Sequence, residues 1–275
     1  MLSTRLLTAF ALLTALLAAL FYLPDIFWAV LLLGLTVTAA REWCRLGRFS
    51  VGQTVLYMIF TTLLGGELLF LISVVVSRNP ADSAMIGFYI ASAVFWLLAV
   101  PFQLAIVRSV RNEWLFMLMG WLVLLPACLS LYQLRAIDPW LLLGFMGVVW
   151  ISDSAAYFVG RACGKHKLAP RISPGKTWEG VAAALVAVLI YALIWFYAVN
   201  EGHERINWLI PLLLILAVLG ITGDLFESLL KRQAGVKDSG NILPGHGGIL
   251  DRIDALIPVL PVAALSTLLF YSTEL

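Results

Sequence analysis

The sequence predicts an all-α, polytopic membrane helix bundle of about nine transmembrane helices. Three observations predict it: an excess of apolar residues, their segregation into runs of spanning length, and an uneven division of Lys and Arg between the two ends of those runs. Of the 275 residues, 62% are hydrophobic and 12% charged, where a soluble domain carries roughly 25% charged residues. A water-soluble fold of this length has too little interior to hide so much apolar surface.

A spanning helix needs about 20 mostly apolar residues. Such runs fall at about 6–23, 26–42, 54–76, 85–106, 114–133, 139–160, 179–199, 208–230 and 253–272. Charged residues, Gly, Pro or Asn break the chain between them, as helix ends require. The first run, behind Arg5, is longer than the roughly 7–15-residue core of a signal peptide and leads straight into a second run, so it reads as a retained helix. The whole of 1–275 reads as one integral membrane domain. Residues 1–135 supply the first five helices, and 136–275 supply the four that carry chemistry.

Lys and Arg orient the bundle. With alternating spans, Arg78, Arg135 and Arg205 fall on one side, which leaves fifteen of the 18 Lys and Arg on the other. By the positive-inside rule that side is the cytoplasm. The N-terminus then lies inside, Thr273-Glu274-Leu275 lies outside, and the two longest polar loops share the cytoplasmic face. The net charge of +2 is too small to speak for or against a nucleic-acid partner, and none is expected. Cys44, Cys128 and Cys163 form no CxxC pair and read as buried thiols rather than as a disulfide or zinc framework.

Chemistry concentrates in Asp224–Asp254. Asp224, Glu227, Ser228 and Lys231 recur at i, i+3, i+4, i+7 and share one face at the cytoplasmic end of the eighth span. Ionisable groups at membrane depth are costly and normally face a bundle interior or a wet cavity. Glu227 with Lys231 is equally consistent with a structural i, i+4 ion pair. Asp224 has no basic residue at i±3 or i±4 within its span. The loop that follows carries Lys231, Arg232, Lys237 and Asp238, then Leu243-Pro244-Gly245-His246-Gly247-Gly248, then Asp251, Arg252 and Asp254. Its bases suit phosphate oxygens, and its glycines let backbone N–H groups approach a ligand. Asp224, Asp251 and Asp254 offer hard oxygen ligands for Mg²⁺. His246 reads as a positioning residue, with acid–base duty as the alternative.

The second loop, Gly160–Gly180, contains Gly175-Lys176-Thr177. The first glycine of a Walker A motif is not at its required spacing and no strand precedes it, so a P-loop is rejected. Ser173-Pro174 reads as a helix start, with Lys176 near its positive end to hold an anion. Lys165 and Lys167 read equally as membrane-surface anchors. Asp153 is a further acid inside a span.

The run from Ser228 through Lys231, Arg232, Lys237, Asp238, His246, Gly247, Gly248, Asp251 and Arg252 to Asp254 resembles the phosphatidate cytidylyltransferases, or CDP-diacylglycerol synthases. The block from Asp153 through Ser173, Pro174, Lys176 and Thr177 to Gly180 is similar to that family too. Towards the N-terminus the likeness is confined to helix count and Glu42-Trp43. The resemblance implies transfer of CMP from CTP to phosphatidic acid, giving CDP-diacylglycerol and pyrophosphate. It also implies a Mg²⁺-dependent site with a second, monovalent cation such as K⁺, and a homodimer. By carry-over, Asp224 and Asp251 would hold metal; Ser228, Lys231, Arg232, Lys237, Asp238, His246 and Arg252 would surround nucleotide and phosphate. With the charge bias, it implies a multi-pass protein of a bacterial-type inner membrane with its site facing the cytoplasm. Two alternatives stand beside it: a CTP-dependent lipid or polyprenol kinase, and a cation-coupled transporter built on Asp153 and Asp224.

Overall fold

The structure is a computed structural model that describes residues 2–107, 110, 112–199, 208–242 and 247–271. Ten helices and one small hairpin are described. They are α1 (Leu2–Tyr22), α2 (Asp25–Leu46), α3 (Val51–Arg78), α4 (Ile86–Ile106), α5 (Glu113–Ile137), α6 (Pro139–Cys163), β1 (Lys167–Ala169), β2 (Ser173–Thr177), α7 (Trp178–Val199), α8 (Leu209–Ala234), α9 (Leu250–Ile253) and α10 (Leu256–Tyr271). Among the described residues, seven helices, α2 to α8, are long and apolar enough to cross a membrane; apolar stretches of α1 (Leu13–Tyr22) and α10 (Leu256–Phe270) are shorter. The expected runs coincide with these helices, although α2 continues to Leu46 and the last helix begins at Leu256 rather than at residue 253.

Local chemistry sets the boundaries. Ser50 and Gln53 form a reciprocal capping box at the start of α3: the Ser50 side chain accepts from the Gln53 N–H, and the Gln53 side chain accepts from the Ser50 N–H. Asn112 and Asp138 cap α5 and α6 through their side chains. Gly235 closes α8 at φ 71, the left-handed turn that glycine adopts without strain. In α4, Pro101 offers no N–H to the preceding turn, and the helix widens to a π turn over Phe95–Ala99.

The bundle's outer surface is apolar. Phe60, Leu63, Phe70, Leu98 and Ile194 all face outwards, which is unfavourable in water and neutral in hydrocarbon. Several polar groups are paired between helices. Tyr89 donates to Gln133 Oε1 at 2.9 Å, Gln133 donates to the Asp82 carbonyl at 2.8 Å, and the Trp121 indole N–H donates to Thr61 at 2.9 Å. Cys44 and Cys128 are buried as expected, but Cys163 is exposed, because it is the last residue of α6 and meets the polar loop.

The expected helix start at Ser173-Pro174 is incorrect. Ser173–Thr177 is a strand paired antiparallel with Lys167–Ala169, with Lys167 opposite Thr177 and Ala169 opposite Ser173. The helix begins at Trp178, where Thr177 Oγ1 accepts from the Gly180 N–H at 3.2 Å and the Trp178 N–H donates to the His166 carbonyl at 2.9 Å. Thr177 is therefore the N-cap, and Glu179 in the first turn pairs with His166 Nδ1 at 2.7 Å. The hairpin rests on a small apolar cluster of Ile172, Ala184, Ile221, Leu225 and Leu229, which presses it against α7 and α8.

Candidate active site

Asp224, Ser228 and Lys231 lie on one face of α8 as their spacing requires, and each is bound to something. The Ser228 hydroxyl donates to Asp224 Oδ1 at 3.2 Å. Lys176, from β2, reaches Asp224 Oδ2 at 2.7 Å and the Ile221 carbonyl at 3.3 Å. The acid with no basic neighbour on its own helix thus takes one from the hairpin. Lys231 bridges Glu227 on its own helix and Asp251 on α9, both at 2.8 Å. The structural i, i+4 pair exists, and the same ammonium ties α8 to the loop.

Asp251 is the most heavily bonded of these acids. Its Oδ2 accepts from the Ser239 N–H, the Ser239 hydroxyl and the Gly248 N–H at 2.9, 2.9 and 2.8 Å. Burial pushes its carboxyl up, but the bonds from Lys231, Gly248 and Ser239 outweigh burial and hold it below the usual carboxylate value. Gly248 must lack a side chain, because a Cβ there would stand 2.4 Å from Ser239 Oγ and 2.5 Å from the Glu42 carboxylate. Gly247 adopts φ 81 beside Asp238 and Asp251.

Glu42, in the last turns of α2, is a residue that spacing did not single out. It is 3% exposed. Its oxygens accept from the Ile249 and Leu250 N–H groups at 3.1 and 2.7 Å, and at 3.1 Å it shares with Asp251 the single proton of the Ser239 hydroxyl. It therefore caps α9 from another helix and holds the loop that carries Asp251. Arg45 supports the same loop through the Ser239 carbonyl at 3.4 Å.

The other expected residues divide. Asp254 stands near Glu227 and Asp224, and Asp153 stands near Lys176 and Asp224. Ser173 and Lys176 line the main cavity, while Thr177 also lines it but is spent as a helix cap. Arg232 donates to the Ile172 carbonyl at 3.2 Å and anchors the hairpin. Lys237, Asp238 and Arg252 are exposed. His246 lies outside the described residues. The cavity measures about 680 Å³ and is bounded by Asp153, Arg161, Lys167, Lys176 and Asp224, with glycines 160, 164, 175 and 180 on its walls. That is ample for a nucleotide-sized ligand.

Five carboxylates (Asp153, Asp224, Glu227, Asp251 and Asp254) gather about two lysines, Lys176 and Lys231. Acids in such excess, partly removed from water, are tolerated when protons or a cation neutralise them. Glu227 Oε1 is buried with no hydrogen-bond partner. Charge and donor type therefore fit a hard divalent cation. Among the described residues no three acid, His or Cys side chains already converge on one point, and the lysines stand between the acids as counter-ions.

A family model described as the cytidylyltransferase family matches residues 3–270. The chain belongs to the cytidylyltransferase family. Relatives agree along nearly its whole length. It is 34% identical over 282 residues to the phosphatidate cytidylyltransferase of Haemophilus influenzae, covering 95% of this chain and 96% of that one. It is 37% identical over 276 residues to the phosphatidate cytidylyltransferase of Pseudomonas aeruginosa, covering 96% of each. With the phosphatidate cytidylyltransferase of Bacillus subtilis the identity is 54% over 114 residues, 42% of each chain. These similarities favour neither the kinase nor the transporter alternative.

Proposed function

We propose that this cytidylyltransferase joins CTP to phosphatidic acid, yielding CDP-diacylglycerol and pyrophosphate. The observation that carries the reading is the Lys176–Asp224 pair, 2.7 Å apart on the wall of a cavity built between the hairpin, α6, α7 and α8. A phosphate oxygen of the lipid attacks the α-phosphorus of CTP. The new O–P bond forms as the bond from that phosphorus to the bridging oxygen breaks, and pyrophosphate leaves with the electron pair. The nucleophile is already an anion, so no strong base is needed, and the protein's task is to position and neutralise.

Lys176 is suited to that task, because its ammonium can turn from Asp224 to a phosphate oxygen. Arg161 and Lys167 place further positive charge on the same cavity. Lys231 holds Asp251, and through it the glycine turn, in one arrangement against α8. Asp224, Asp251 and Asp254 would hold Mg²⁺, with Glu227 and a second, monovalent ion such as K⁺ beside them. When bound, the divalent ion supplies charge neutralisation on the transferring phosphoryl group. Ser228, Arg232, Lys237, Asp238, Gly247, Gly248, Arg252 and His246 complete the nucleotide side.

The fuller topology belongs to the same proposal: nine spans, N-terminus and site at the cytoplasmic face of a bacterial-type inner membrane, C-terminus outside, and a homodimer. The supporting fact is the division of Lys and Arg, fifteen on the side of both polar loops out of 18. The test is turnover in detergent with Mg²⁺, labelled CTP and phosphatidic acid. Wild type is expected to form CDP-diacylglycerol, and Asp224→Asn and Asp251→Asn each to lose it while remaining folded. Full activity in either variant, or no lipid nucleotide from wild type, contradicts the proposal.

A further inference from the structure

A second cavity of about 570 Å³ lies between α4, α7 and α8. Its walls are apolar, with Leu97 and Pro101 of α4, Leu185 and Leu189 of α7, and Val218 and Ile215 of α8. It adjoins the polar cavity on two helices at once. On α7, Val181 lines the polar cavity and Leu185, one turn on, lines the groove. On α8, Asp224 and Ile221 line the polar cavity, and Thr222 and Val218 line the groove. From Thr222 to Leu214 the groove follows α8 for about 12 Å, at 1.5 Å per residue. The third wall is the part of α4 widened by the π turn at Phe95–Ala99 and by Pro101.

We infer that this groove seats one fatty acyl chain of the lipid substrate while its phosphate sits against Lys176. The inference rests on the reading of this chain as a phosphatidate-using enzyme. A phosphate bound at Lys176 leaves the glycerol at the edge of the polar cavity, and the chains must depart from there into apolar surroundings. The groove is reached within one helical turn along both α7 and α8 and faces the hydrocarbon side of the bundle. Bilayer lipid is as apolar as leucine, so the groove gains nothing by transfer from water. What it contributes is direction: a seated chain fixes the glycerol, and with it the attacking phosphate oxygen, relative to the bound nucleotide.

Val218 and Leu189 are 49% and 37% exposed, so a larger side chain there enters the groove without overpacking the core. The test compares kcat/KM for dipalmitoyl and dihexanoyl phosphatidate in mixed micelles. It uses wild type, Val218→Trp, Leu189→Trp and, as a control on the outer face of α7, Ile194→Trp. Both groove variants are expected to lower the long-chain to short-chain ratio by about fivefold, less than a missing methylene costs in many water-facing pockets, because a displaced chain returns to hydrocarbon. The control keeps the wild-type ratio. Val218→Ala, which widens the groove, is expected to leave short-chain turnover intact and to shift preference towards bulkier chains. An unchanged ratio in both Trp variants, with short-chain turnover preserved, overturns the groove and leaves the activity standing. Equal loss on both substrates together with altered oligomeric state assigns the groove to a contact between copies and also overturns it. Wild type inactive on both substrates overturns the underlying reading instead.

Discussion

Replacing Glu42 should disable the enzyme from a helix that carries none of the proposed phosphate ligands. Glu42 Oε1 accepts from the Ile249 N–H, and Oε2 accepts from the Leu250 N–H and shares the Ser239 hydroxyl proton with Asp251. Glu42→Gln keeps the shape but turns one of these oxygens into an NH₂ donor. If the amide keeps its oxygen towards Leu250 and Ser239, the Ile249 N–H meets another donor. Hydrogen bonds to a charged group contribute about 1.5–3 kcal/mol each, so losing one weakens the hold on Ile249 and Leu250, next to Asp251, by about 2 kcal/mol. That is roughly a 30-fold fall in the population holding Asp251 in place, at 1.4 kcal/mol per tenfold. Glu42→Ala removes both N–H bonds and the shared hydroxyl contact and should lose more. The assay is kcat for CDP-diacylglycerol formation, read beside thermal unfolding in detergent and protease nicking of the 239–251 segment. Nicking should rise as kcat falls, with the unfolding temperature of the bundle changing little. Wild-type turnover and wild-type protease resistance in Glu42→Ala would refute the reasoning.

Three other outcomes follow from the same geometry. Gly248→Ala should lose turnover, because its Cβ would collide with Ser239 and Glu42, whereas Gly34→Ala in α2, with nothing within 4 Å, should leave turnover unchanged; both are read in the same lipid-nucleotide assay. The lowered pKa of Asp251 means that its bonds stabilise the fold above the ordinary carboxylate range and lose that contribution as pH falls through the lowered value. Loop protection against protease should therefore persist through mildly acidic pH and fail in stronger acid, and Asp251→Asn should remove that acid-dependent step. Thr177→Val should cost about 1 kcal/mol through loss of the α7 N-cap, visible as a lower unfolding temperature, while Ser173→Ala, which removes no cap, should leave that temperature unchanged.

The membrane helices were legible because length and apolarity leave the chain little choice, and the α8 face was legible because helical spacing alone aligns Asp224, Ser228 and Lys231. What spacing could not supply were partners brought by tertiary packing. Lys176 meets Asp224 across 48 positions of sequence, and Glu42 meets Ser239 across 197. No local pattern encodes either contact. The hairpin was missed for a different reason. Ser173-Pro174 and Thr177 both resemble helix caps, and pairing with Lys167–Ala169 decides between them. Arg232 was legible as a base beside the site, but not its Nε bond to the Ile172 carbonyl, which ties α8 to the hairpin across 60 positions. Asp251 was legible as an acid near a glycine turn, but not as the centre of four hydrogen bonds.

The most direct test of the central claim follows the label from CTP. With purified protein, Mg²⁺ and phosphatidic acid, label at the α-phosphorus of CTP should enter the lipid, and label at the γ-phosphorus should appear in pyrophosphate. Asp224→Asn should do neither. Transfer of the γ-label to lipid, with the α-label remaining in a soluble nucleotide, would mark a kinase and contradict the account.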